Sequence, residues 1–182
     1  MTKKIQNIKK GQVIVIMVCL FVILGSAAGS IVFITTPLGP FTAVSEAFTS
    51  PGKSIYTFFS ICILPYLILL SSLFNFGAAI SSVLLLFQSF LSSCAVCSVI
   101  VSSGATMIIL KTAFLHGLLI LSSIISYVFS VNRVVRKFTS ENSTKHRLKR
   151  EKIKTKAENI IIFTAVSSIL VLYCILKQKF NL

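Results

Sequence analysis

Apolar residues along this chain come in long unbroken runs, not in alternation and not as one-sided helical stripes. The first runs from Val13 to Ile34. A helix needs roughly 20 apolar residues to cross a bilayer, and this run supplies them. A longer stretch extends from Ile55 to Ser130, too much for one helix and enough for three. Two polar and glycine clusters interrupt it, Asn75-Phe76-Gly77 and Ser102-Ser103-Gly104, and such clusters mark turns. Pro65 falls in the first third, where a membrane helix tolerates it because neighbours satisfy the freed carbonyl and a kink results. The last run, Ile160 to Leu176, is short but sufficient if Phe163 and Tyr173 lie near its ends. The pattern predicts an all-α integral membrane protein, a single membrane domain built as a bundle of about five helices. Its spans fall near 13–34, 56–74, 78–101, 105–129 and 160–176.

Between the first two spans, residues 35–54 form a linker with Pro37, Pro40 and Pro51. Phe41, Val44 and Phe48 recur there at helical spacing, which fits a short helix lying on the membrane or a loop with scattered apolar residues. Ser26-Ala27-Ala28 resembles a signal-peptide cleavage site, but the apolar run continues through Ile31 to Ile34. A signal core is usually about 7–15 residues, so an uncleaved anchor is expected.

Charge changes the picture by giving the spans a direction. The chain has 18 Lys and Arg against four acids, and charged residues are only 12% of the total. A soluble domain carries about 25%. Four Lys precede the first span, and ten basic residues lie between Arg133 and Lys156, within a cytoplasmic loop expected over 131–158. The linker 35–54 holds only Lys53. Basic residues collect on the cytoplasmic side, so a multi-pass protein of the cell membrane is expected, N-terminus inside and C-terminus outside. Thr139 and Ser143 are candidate N-caps. From Thr144 onward there is no Gly or Pro, so a helix continuous with the last span is expected. Arg133, Arg136, Lys137, Lys149 and Arg150 are candidate contacts for anionic lipids, worth roughly 1 kcal/mol per basic residue near the surface. Nucleic acid is not an expected partner, because the flanking spans hold this loop at the membrane.

Candidate chemistry is sparse. The chain has no Asp, and no acid lies in any span, so paired carboxylates and Ser-His-acid catalysis are not expected. Neither a cofactor nor a metal is expected. Cys94 and Cys97 form a C-x-x-C inside an apolar run and read as packing residues. Gly25-Ser-Ala-Ala-Gly29 is a small-x-x-x-small pattern, which lets helix backbones approach closely; Ser89 and Ser93 make the third span similarly small on one side. The intramembrane polar residues are Gln88, Lys111 and His116, and such groups are costly in lipid and often functional. Lys111 is expected to snorkel to the interface, and Gln88 to make a hydrogen bond between helices.

The Tyr66–Tyr127 region resembles the membrane core of the stage II sporulation protein M family. The matching text is Leu73-Phe-Asn-Phe-Gly-Ala-Ala-Ile-Ser-Ser-Val-Leu-Leu-Leu-Phe-Gln-Ser-Phe-Leu-Ser-Ser93, then Ala113-Phe-Leu-His-Gly-Leu-Leu119. Ser89 and Ser92 stand where that family has glycines, and His116-Gly117 replaces a proline-asparagine step. The resemblance implies a membrane scaffold that supports engulfment during endospore formation. Its partners would be other membrane proteins and peptidoglycan hydrolases, an amidase and a lytic transglycosylase, and it would do no chemistry itself. The competing expectation is a transporter or permease subunit, which would turn Gln88, Lys111 and His116 toward one cavity.

Overall fold

The computed structural model describes the backbone of residues 2–35, 54–103, 106–140 and 145–180, and the side-chain surroundings of 12–35, 63–101, 106–136 and 157–180. Every element among the described residues is an α-helix: α1 (Thr2–Thr35), α2 (Ser54–Ser71), α3 (Gly77–Ser103), α4 (Thr106–Ser140) and α5 (Lys145–Phe180). Four segments are long and apolar enough to cross a membrane: Gln12–Thr35, Gly77–Val101, Thr106–Arg136 and Ala157–Phe180. The fifth helix, α2, is an 18-residue apolar segment with Pro65 inside it. The chain is an all-α multi-pass membrane bundle. The linker 36–53, with its possible surface helix, lies outside the described residues.

Side-chain contacts fix the helix directions. Gly25 faces Leu86 and Ser89, and Gly29 faces Phe90 and Ser93, so α1 and α3 run parallel. Ser82 pairs with Tyr127 and Ser81 with Ser130, so α3 and α4 are antiparallel. Ser71 meets Ser130 and Ser72 meets Arg133, which makes α2 parallel to α4. Arg136 bonds Glu158 near one end of α4, and Lys111 covers Phe180 near the other, so α5 is antiparallel to α4. Helices α1, α3 and α5 therefore run one way, and α2 and α4 the other. The start of α1, the α2–α3 hairpin, the end of α4 and the start of α5 share one end of the bundle.

Two apolar cores hold this arrangement. Val18, Ile68, Leu85 and Tyr127 bring α1, α2, α3 and α4 together. Leu115, Leu119, Val166, Leu170 and Tyr173 join α4 to α5. Large apolar side chains also point outward, including Ile16, Ile23, Ile31, Val83, Leu110 and Ile161. In water such a surface would aggregate; in a bilayer it is the face presented to lipid.

Two boundaries differ from the sequence expectation. The second span was expected to reach residue 74, but α2 stops at Ser71, and Ser72–Phe76 form the hairpin. Ser71 Oγ donates to the Ile68 carbonyl and reaches the Gly77 carbonyl, closing the turn from its polar side. A Cβ on Gly77 would collide with the Ser71 backbone, so only glycine fits there. The expected loop over 131–158 is entered as helix, α4 continuing to Ser140; the helix expected from Thr144 onward, continuous with the last span, is α5 from Lys145. Thr139 accordingly lies inside α4 and is not an N-cap, while Ser143 falls outside the described residues. The missed signal is that basic residues are good helix formers and no Gly or Pro interrupts 133–140. At 1.5 Å per residue, Lys145–Lys156 would carry α5 about 18 Å beyond its apolar segment.

Candidate functional site

Two polar regions inside the bundle stand out against its apolar surface. The first is the seam between α1 and α3. A Cβ placed on Gly25 would lie 2.5 Å from the Leu86 carbonyl oxygen and 2.8 Å from Ser89 Cβ. One placed on Gly29 would lie 2.5 Å from the Phe90 carbonyl oxygen and 3.0 Å from Ser93 Cβ. Gly25, Gly29, Ser89 and Ser93, picked out separately from two spans, thus face one another, and the helix contact they make is internal. Hydroxyls reinforce it. Ser93 Oγ lies 2.8 Å from the Ser26 carbonyl and 2.8 Å from Ser30 Oγ, which is itself 3.0 Å from the Ser26 carbonyl. Each hydroxyl has one proton, so one donates to the carbonyl and the other to its partner hydroxyl, whichever way the chain runs. The Cys94 thiol donates to the Gly29 carbonyl at 3.4 Å, and the Cys97 thiol reaches Ser30 Oγ at 3.8 Å. Both thiols of the C-x-x-C are free and serve as contacts with α1.

The second region is the interior where α2, α3 and α4 meet. At the hairpin end, Ser71, Ser81 and Ser130 are buried and linked by hydroxyl contacts of 3.2 and 3.3 Å. Higher up, Ser122 and Ser126 donate to carbonyls within their own helix. Such local bonds satisfy a hydroxyl without tying helices together. Tyr66 reaches across to α5, its hydroxyl 2.8 Å from Ser167 Oγ and its ring tilted against Phe163.

The three intramembrane polar residues do not converge on one point. Lys111 stands in the second turn of α4, its ammonium 5.2 Å from the centre of the Phe180 ring, a cation–π contact. His116 is buried one turn further in, on the α4 stripe that also carries Leu115 and Leu119. Gln88 is buried in the middle of α3, and its Oε1 has no hydrogen-bond partner among the described residues. Among the described residues, that oxygen does not supply the hydrogen bond between helices expected of Gln88. Sequence reasoning also missed the Ser71–Ser81–Ser130 triad, because single serines in apolar runs carry no pairing signal until the helix directions are known.

Of the candidate lipid contacts, Arg133 extends to Ser72 Oγ at 3.5 Å, beneath the hairpin. Arg136 is more than half exposed and paired with Glu158. The side chains of Lys137, Lys149 and Arg150 lie outside the described residues. Among the described residues, no group of His, Cys, Asp and Glu could hold a metal ion. No protein-family model, curated protein or solved structure matches this chain.

Proposed function

We propose that this protein is a non-catalytic membrane anchor that presents a basic helical platform on the cytoplasmic side and holds partner proteins in place. The observation that carries this reading is the distribution of charge over the ends of the bundle. The start of α1 brings Lys3, Lys4, Lys9 and Lys10 to the same end as the ten basic residues from Arg133 to Lys156. Lys111, Lys177 and Lys179 stand at the opposite end. That asymmetry supports a cytoplasmic N-terminus and, with five alternating helices, an outer C-terminus. It also suits contact with anionic headgroups.

The interior supports the same reading. Its serines are spent largely on helix carbonyls and on one another, and Gln88, Lys111 and His116 are dispersed, so the polar groups act as packing elements. Engulfment alongside wall-degrading partners is the specific form that the family resemblance gives to this proposal. A transporter subunit is the alternative.

Purification of the full-length protein in mild detergent separates the two. Wall hydrolases in the eluate support the anchor, and ATPase subunits support the transporter. The orientation is tested with single cysteines in a Cys-free background and an impermeant reagent on intact cells. Labelling at Ser45→Cys but not at Ser143→Cys is expected, and the reverse overturns it. Enrichment of spin-labelled phosphatidylglycerol over phosphatidylcholine around the reconstituted protein should fall when Lys149 and Arg150 are changed to Gln.

A further inference from the structure

Gln88 and Ser92 are one turn apart on α3 and share a face with Ser81 and Leu85, the positions that meet α4 and α2. On α4, Ser123 lies two turns before Ser130 on the face that receives Ser81. The antiparallel register set by Ser81–Ser130 and Ser82–Tyr127 brings Gln88 level with Ser123, and Ser92 just above them. Gln88, Ser92 and Ser123 are exposed by 1%, 3% and 0%. Gln88 Oε1, Ser92 Oγ and Ser123 Oγ all lack a hydrogen-bond partner among the described residues. Beyond Ser92 the same face of α3 turns to buried Ala95 and Val99. Three orphaned polar atoms thus gather in one helix interface, about halfway along the span, bounded by apolar side chains.

Each such atom is costly to bury if nothing meets it, and lipid has no groups to offer. Three in one interface are too many to leave unmet. An amide oxygen accepts, and two hydroxyls both donate and accept. That set is neutral, with no carboxylate, imidazole or thiolate to offset a metal ion's charge, so its partner is small, uncharged and able to bond in several directions. Water has this chemistry, and buried waters typically bond two to four polar groups.

We propose that the α3–α4 interface contains an internal water site, with Gln88 Oε1, Ser92 Oγ and Ser123 Oγ as its protein ligands. The site lies away from the basic platform, and its existence does not depend on the anchor reading.

Water-edited solid-state NMR on the isotopically labelled full-length protein in bilayers tests it directly. Magnetisation from water should reach the Ser92 and Ser123 Cβ and the Gln88 Cδ severalfold faster than the buried Leu119 or the lipid-facing Leu121. In the double variant Ser92→Ala/Ser123→Ala, transfer to Gln88 should fall severalfold, while the Ser26, Ser30 and Ser93 resonances of the α1–α3 seam stay in place as a folding check. Build-up at Gln88, Ser92 and Ser123 as slow as at Leu119 would overturn the proposal. So would undiminished transfer to Gln88 in the double variant with the seam intact.

Discussion

The α1–α3 seam and the α3–α4 interior use the same small polar residues to opposite effect. In the seam, Gly25 and Gly29 let two backbones come so close that Ser26, Ser30 and Ser93 bond across the gap. In the interior, away from the Ser71–Ser81–Ser130 link, Ser122 and Ser126 bond within their own helix, and Ser92 and Ser123 have no described partner. Polarity alone therefore does not tie small residues across a helix contact. In the seam they are tied because glycine removes the bulk that keeps hydroxyl and carbonyl apart.

The strongest way to break this contrast is to add bulk to the seam. Gly25→Leu and Gly29→Leu each force side-chain atoms into a backbone carbonyl of α3, which a shift of one rotamer cannot relieve. Overpacking of this kind costs about 1–3 kcal/mol or more, and the double variant should be the least stable of all in detergent unfolding. Ser130→Val removes the link among α2, α3 and α4. Hydrogen bonds between membrane helices average about 0.6 kcal/mol and reach about 1.7, so a loss in that range is expected by the same measurement. Gln88→Leu should fall within about 1 kcal/mol of the parent, because it deletes both an orphaned oxygen and its hydration. Arg136→Ala should change stability least, by less than about 0.5 kcal/mol, since exposed ion pairs contribute little.

Much of the fold was legible because lipid imposes a simple rule: long apolar runs become helices. Asn75-Phe76-Gly77 marked the first hairpin correctly as a break, but not its start. Ser72, Leu73 and Phe74 continue the apolar pattern, and the turn is set by Gly77 lying against the Ser71 backbone, a contact that has no signature in sequence. The helix from Lys145 was legible, because no Gly or Pro follows Thr144; the extension over Arg133–Ser140 was hidden by its charge, which reads as loop in a hydropathy pattern although Lys and Arg favour helix. Among the candidate site residues, the glycine motif announced a close helix contact but not its partner. That partner depends on α1 and α3 running parallel, a property of the whole topology. Gln88 announced a polar group in lipid with Ser92 one turn away, but only the register of α3 against α4 places Ser123 beside them.

The central structural claim is that the glycine seam is closed within one chain and is not a surface for a second protein. Ser30→Cys and Ser93→Cys in a Cys-free background test it, since the two hydroxyl oxygens are 2.8 Å apart. A protease site inserted between Thr36 and Lys53 allows α1 to be cut from the remainder after oxidation in the membrane. The α1 fragment should stay disulfide-linked to the rest of its own chain on a non-reducing gel, with a yield independent of protein density in the bilayer. Release of the α1 fragment, or disulfide-linked dimers of the uncut chain that increase with density, would contradict the claim.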